Sequence, residues 1–478
     1  MTNTRREALG ILGGTVGSLV ASKVLAARPK TDFATLRREV RGDLVERDGA
    51  GFEELCRTMT WNPRVATAHT PAAIVRVTSA QDVAAAVKFA RAQSIKIAVR
   101  GGGHHHDGVV LRDDSLLLDL SALSALDIEA EQRLVAAGPG VKGGALAAAL
   151  APHGLAFPVG HCPDVALSGF LLNSGLGWNF GEWGLSCESV RGIEVVTADG
   201  EVVYADREHN TDLFWATRGA GPAFFAVVTR YDLIVHALPR AIHIYSTAFG
   251  LDSLAAIAAW LPGAIRNVHP HVEIICTIGP DADGRRLIGV VAFGFGADAA
   301  DARARVAALT AGPADAPRLG ETLDRPTSFS ELFDLIDAGF PKIRMSGDSI
   351  FTGAGIADLL RVVGPHARDM PAAPSAIALI GLGGGTPLPR SDGAFSLIGT
   401  TVLGAYGFWN AAADDRRNVR WVNDVLSAAA SFSTGYNVGE ADVRARGRAS
   451  RCFSPNAWRR LAALKQRFDP GDLFESFS

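Results

Sequence analysis

Cysteine is scarce in this chain of 478 residues: the five present, Cys56, Cys162, Cys187, Cys276 and Cys452, are too few and too scattered for a disulfide framework or a zinc site. Pairing among them depends on Cα separations that spacing does not give. An excess of positive charge is also lacking, with 47 Lys and Arg against 50 Asp and Glu, so there is no electrostatic footprint for a nucleic-acid partner. No GxxxxGK[ST] phosphate loop occurs, and no internal repeat or low-complexity segment interrupts the pattern. What the chain has in quantity is glycine, 52 residues, and a hydrophobic content of 48%, enough for large buried cores in two domains.

The glycines are most informative at Arg100-Gly101-Gly102-Gly103-His104-His105-His106-Asp107-Gly108. Helix-spaced Val83, Ala84, Val87 and Ala90 precede an apolar run over residues 95–99, which reads as helix, buried strand and loop. Three successive glycines allow positive φ and bring backbone N–H groups close to an anion such as a pyrophosphate. This loop lacks the dinucleotide-binding GxGxxG spacing with a helix behind it. Three adjacent histidines point to alternate faces and do not converge easily on a metal. A metal site and a plain glycine-rich turn with solvent-facing histidines remain the alternatives at this point.

A second small-residue segment runs from Ala156-Phe157-Pro158-Val159-Gly160-His161-Cys162 into Ser168-Gly169-Phe170-Leu171-Leu172-Asn173-Ser174-Gly175-Leu176-Gly177-Trp178. Together the two loops resemble those of the berberine bridge enzyme-like flavoprotein oxidases, within the vanillyl-alcohol-oxidase superfamily whose FAD-binding domain is called PCMH-type. The resemblance implies FAD held by two covalent bonds, from His104 to the flavin 8α-methyl and from Cys162 to C6. It further implies cofactor contacts from Arg100, Gly101, Gly102, Gly103, His105, Gly169, Asn173, Gly175, Gly177, Gly184 and Val195. Leu118-Asp119-Leu120-Ser121, Val135-Ala136-Ala137-Gly138-Pro139-Gly140, Asp212-Leu213-Phe214-Trp215 and the closing stretch from Pro455 to Phe474 follow in the family's order. Departures also occur. Phe224 stands where the family places an asparagine near the flavin, and the terminal tail is reduced to Glu475-Ser476-Phe477-Ser478.

The expected fold is α+β in two domains. Residues 60–237 form the FAD-binding domain, and Leu238-Pro239-Arg240 marks its exit. Residues 238–429 form a substrate domain, an antiparallel sheet with helices on one face, with strands over 271–278 and 287–295 and helices over 254–260 and 298–309. Residues 430–478 return to the FAD domain. At the N-terminus, Thr4-Arg5-Arg6-Glu7-Ala8-Leu9 opens an uncharged run to Ser22, and Val24-Leu25-Ala26-Ala27 supplies cleavage residues. Residues 1–27 therefore read as a twin-arginine signal, with an amphipathic or disordered extension as the alternative. The signal implies export through the twin-arginine (Tat) machinery to the periplasm or medium.

The resemblance implies oxidation of an alcohol group of a carbohydrate or secondary metabolite by hydride transfer to flavin N5, with O2 or another acceptor taking the electrons. Oxidative cyclisation, amine oxidation and a non-catalytic binding protein on a degenerate flavin fold are the alternatives. The family's C-terminal Y-x-N segment corresponds to Ser433-Thr434-Gly435-Tyr436-Asn437, one residue short, which makes Tyr436 the candidate base. Glu440 and Asp348 are the other candidates. His105 and His106 receive no catalytic role, and no metal is expected.

Overall fold

The computed structural model describes residues 31–474, so the proposed signal and the final four residues lie outside the described residues. A four-stranded sheet comes first, ordered Asp43–Glu46, Ala73–Arg76, Leu116–Asp119, Ile97–Arg100. Its last three strands are parallel and buried, which is why they read as unbroken apolar runs instead of alternating ones. The helix Ala80–Ala92 covers it, started by Ser79, whose side chain accepts from the Asp82 N–H at 3.1 Å. Val83, Ala86, Val87 and Ala90 of that helix are fully buried in the adjoining core.

A five-stranded antiparallel sheet follows, ordered Leu126–Glu129, Leu134–Ala137, Val227–Ile234, Val190–Val196, Val202–Asp206. Residues 241–436 supply the eight strands of a third sheet, antiparallel throughout: Arg318–Thr327, Ala241–Gly250, Arg286–Gly296, Glu273–Pro280, Ala376–Leu382, Thr401–Trp409, Arg344–Thr352, Ser433–Tyr436. Successive side chains in a strand point to opposite faces. On one face Ile274, Cys276, Ile278, Ile377, Leu379, Leu403 and Ala405 pack in one core with Leu261, Leu360, Val363 and Val425 of the covering helices. On the other face Ile275, Thr277, Ala378, Ile380, Val402, Tyr406 and Phe408 line a cavity.

The elements differ from the sequence expectations in three places. Residues 33–57, outside the expected FAD domain, supply two short helices and the edge strand Asp43–Glu46, which is only four residues long and carries no readable alternation. The helix expected over 254–260 continues to Asn267 through Pro262. Proline removes the donor that would satisfy the Ala258 carbonyl, and Arg361 Nη2 donates to that oxygen at 3.2 Å instead. Ser433–Tyr436, placed by the sequence in the returning segment, pairs with Arg344–Thr352 as the edge of the large sheet.

After that edge the chain crosses back. Ser454 caps the helix Pro455–Phe468, Leu461 and Leu464 enter the core beside the five-stranded sheet, and Phe468 stacks on Phe225 at 5.7 Å. The end is tied to the parallel sheet, since Ile97 N–H donates to Leu473 O at 2.9 Å. Buried Asp469 holds this junction by accepting from the backbone N–H groups of Leu473 (2.8 Å) and Phe474 (2.9 Å) and from Lys465 Nζ (2.5 Å). Replacing it leaves two buried N–H groups unpaired and takes one partner from a mostly buried ammonium, which keeps Asp472 Oδ1 at 2.9 Å and the Phe474 carbonyl. Asp469→Ala is therefore expected to lower unfolding free energy by about 3–5 kcal/mol, measured by urea denaturation, and to loosen Phe474, which lines the cavity.

Candidate functional site

The cavity, of about 760 Å³, lies between the two smaller sheets and the large sheet that roofs it. Its floor includes Gly101, Gly102, Gly103, His104 and His105 from the first loop and Cys162, Gly169, Asn173 and Gly175 from the second. Close approach explains the glycines. A Cβ on Gly101 would lie 2.3 Å from Ser168 Cβ, and one on Gly102 would lie 3.1 Å from Ala166 N. Gly103 has φ +68 and would meet Met59 O at 2.0 Å.

Arg100, Gly177, Gly184 and Val195 are not among the residues that line it. Arg100 turns to the fully buried Asp119 at 2.8 Å, and donates to Gly102 O (3.2 Å) and Met59 O (3.1 Å), so it braces the loop from behind. Gly177 packs against the Pro158 carbonyl, Gly184 has φ +77 where it ends a one-turn helix, and Val195 is buried between strand partners Val203 and Val228. Gly138-Pro139-Gly140-Val141-Lys142-Gly143 does have GxGxxG spacing between a strand and a helix. That strand belongs to an antiparallel sheet and the motif does not line the cavity, so no Rossmann site results.

The three histidines part company. His104 Nε2 lies 3.1 Å from Asp164 Oδ1, with the Trp61 ring 5.7 Å from its own. His105 is half-buried with its Nε2 covered, accepts from the Asp107 N–H at 3.2 Å, and has no partner for Nε2. Burial, and next the neighbouring His106, pushes its pKa down to about 3, so the ring is neutral. His106 is also lowered, chiefly by burial, and meets the Tyr406 ring edge-on at 5.9 Å. Among the described residues no three His, Cys, Asp or Glu side chains converge as a metal requires. All five cysteines are free thiols, and burial pushes that of Cys162 up to about 12.

Of the candidate catalytic residues, one reaches the cavity. Glu440 lines it and accepts from the Tyr406 hydroxyl at 2.9 Å. Burial and this carboxylate hold the Tyr406 hydroxyl well above the usual phenol range. Tyr436 and Asp348 do not line the cavity. Arg448 and Arg451 lie over the Tyr436 ring at 3.8 and 4.8 Å, and Arg448 also pairs with buried Asp348, whose pKa burial raises to about 7. That group ties the returning segment to the roof edge. Sequence reading missed Tyr406 because it sits in a strand whose nine residues are all buried, and no local pattern marks one face as the lining.

The residues present fit FAD. The glycine cradle accepts backbone-close phosphates, the slot between the sheets is largely apolar, and two buried polar atoms at its wall, His105 Nε2 and Asn173 Oδ1, lack protein partners. Phe224, in place of an asparagine, also lines the slot. Comparison with known proteins agrees with this. Residues 71–206 match the FAD binding domain family. The chain is 29% identical over 443 residues to FAD-linked oxidoreductase ptmO of Penicillium ochrochloron, covering 91% of this chain and 96% of that one. It is 26% identical to (R)-6-hydroxynicotine oxidase of Paenarthrobacter nicotinovorans over 91% of this chain and 95% of the relative. The structure of BBE-like 1 from Physcomitrella patens superposes with a TM-score of 0.80 at 17% identity, covering 94% of this chain and 98% of that one. The fold and site thus define a PCMH-type flavoprotein. Within that class the chain is a FAD-dependent oxidoreductase, similar over nearly its whole length to FAD-linked oxidoreductases.

A histidine lowered in the fold binds protons more readily when unfolded, so stability rises with pH between the two values. The protein is expected to lose stability as pH falls from 6.5 towards about 3 through His105. His105→Asn should flatten that dependence in thermal melts taken across this range.

Proposed function

We propose that the protein oxidises a C–H bond next to oxygen or nitrogen in an apolar secondary metabolite, using FAD bonded to both His104 and Cys162. When bound, FAD supplies the two-electron acceptor for the hydride, and O2 reoxidises it. His104 and Cys162 face one cavity from separate loops, and the order of motifs around them matches the family in which both positions bond the flavin. Export through the twin-arginine leader at residues 1–27 belongs to the same proposal, because that route carries proteins already folded around a cofactor.

The observation that carries the substrate class is the roof. Ile275, Ala378, Ile380, Val402, Phe340 and Phe408 offer an enclosed, mostly apolar surface. A sugar there would leave several hydroxyls without partners, each costing about 1–3 kcal/mol, so the roof favours an alcohol or amine on an apolar body over a carbohydrate. Glu440 takes the proton from the donor O–H or N–H, since the other lining carboxylate, Asp281, is paired with Arg285 at 2.7 Å, and Tyr406, as the donor to Glu440, stays a protonated phenol. Tyr406 holds one carboxylate oxygen, Oε2, and leaves Oε1 for the substrate.

The attachment is tested by acid precipitation. Yellow pellets from wild type, His104→Ala and Cys162→Ala, with a colourless pellet only from the double variant, are expected; a colourless wild-type pellet would refute covalent FAD. Glu440→Gln should then slow anaerobic bleaching of the flavin by a donor by about 10²–10⁴-fold, with Tyr406→Phe losing less. Unchanged bleaching in Glu440→Gln, followed by stopped-flow absorbance, would remove the carboxylate from the reaction.

A further inference from the structure

The hydrogen bond between His104 Nε2 and Asp164 Oδ1 joins the two attachment loops, for Asp164 lies two residues beyond Cys162. The other oxygen, Asp164 Oδ2, is 3.2 Å from Lys342 Nζ. Lys342 belongs to the roof, between the helix Phe329–Gly339 and the strand Arg344–Thr352. The Trp61 indole N–H donates to His104 O at 2.8 Å and fixes the backbone that carries the ring. His104 and Asp164 are each about a quarter exposed, at 26% and 28%, so the bond is only partly screened by water.

We propose that Asp164 prepares His104 to bond the flavin, by holding the Nε2 hydrogen while Nδ1 reacts, and that Lys342 makes this preparation depend on the docked roof. The inference rests on the reading that His104 carries a covalent flavin bond, and it adds which residue directs that bond and what licenses it.

An ionised carboxylate only accepts hydrogen bonds, so Nε2 keeps the hydrogen and Nδ1 is the nitrogen left with a lone pair. The hydrogen bond at His104 is the largest influence holding the Asp164 carboxyl well below the usual range, and Lys342 acts in the same direction. In the attachment step the bond that forms is Nδ1–C8α, and a C–H bond of the 8α-methyl breaks with its proton passing to solvent. The flavin is left reduced by two electrons. Molecular oxygen takes these with two protons to give hydrogen peroxide, and the ring returns to its oxidised form. As Nδ1 becomes alkylated the imidazole gains positive charge until Nε2 gives up its proton. Asp164 faces that charge, in the manner of a carboxylate behind a catalytic histidine. Lys342 steadies the carboxylate from the roof, beside the cavity, so the first loop is readied only with the roof docked.

The test uses the Cys162→Ala protein, in which His104 is the one attachment left. Full-length apoprotein is mixed with FAD in air. Quenching of FAD fluorescence reports non-covalent binding, and flavin retained in acid pellets over time, located by mass on the His104 peptide, reports the bond. Adding Asp164→Asn is expected to leave FAD binding unchanged and to slow bond formation about 10- to 100-fold. Asp164→Glu should restore part of the rate, which a purely structural role would not require. Lys342→Met should slow it a few-fold. Bond formation at the parental rate in Asp164→Asn overturns the proposal. Should that variant not fold and bind FAD, a parental rate in Lys342→Met, a largely exposed position, overturns the licensing by the roof. A Cys162→Ala protein that binds FAD but never retains it in acid overturns the underlying reading instead.

Discussion

The large antiparallel sheet has to be buried on both faces at once, and the rest of the site depends on that constraint. Helices cover Ile274, Cys276, Leu379 and Leu403 on one side, which commits Ile275, Thr277, Ala378, Val402 and Tyr406 to the other. A slip of one residue in any of these strands would exchange the two sets. The helices behind the roof therefore do more than stabilise it. By fixing register they decide which side chains a bound substrate meets.

The roof is also held in place over the floor by polar contacts that cross the cavity's rim. Asn62 Nδ2 donates to His106 O at 2.7 Å and to Met345 O at 2.9 Å, so one amide joins the histidine loop to a roof strand. Arg64 repeats the link, donating to Met345 O at 2.7 Å and pairing with Asp107 at 2.6 Å. Breaking one partner of such partly buried groups costs more than the contact itself contributes, because the other is left desolvated and unpaired. His105 and His106 meet the same requirement differently. His106 is buried and His105 half-buried, both as neutral rings, and each keeps one covered nitrogen without a protein partner next to the cavity.

How far the sequence discloses this depends on whether a feature is local. The glycine loop, the position of His104 and the segment carrying Cys162 are short contiguous patterns, and their physical requirements are visible in the residues themselves. The antiparallel sheet backed by helices was legible for a similar reason, because two of its strands and two of its helices follow their periods. Tyr406 was not legible, for its pairing with Glu440 spans 34 positions and depends on the register of a strand buried on both faces. Tyr436 drew attention through a motif offset by one residue. That offset matters physically: at the edge of the sheet the ring faces Arg448 and Arg451, away from the cavity. Arg100 shows a second non-local constraint: Asp119 is fully buried and requires the guanidinium as a partner.

The pairing of Tyr406 with Glu440 has a chemical consequence that a lone tyrosine at the same place would not. A phenol acts as a base at neutral pH only if a cation or donor stabilises its anion, and here its neighbour is a carboxylate that raises its pKa further. On the proposed reading, proton acceptance therefore passes to Glu440, with the phenol as a fixed donor that orients it. On the same reading, a carboxylate at a mostly apolar slot favours a donor that develops positive charge as hydride leaves, whether an alcohol becoming a carbonyl or an amine becoming an iminium. The apolar walls strengthen that attraction, since little water remains to screen it.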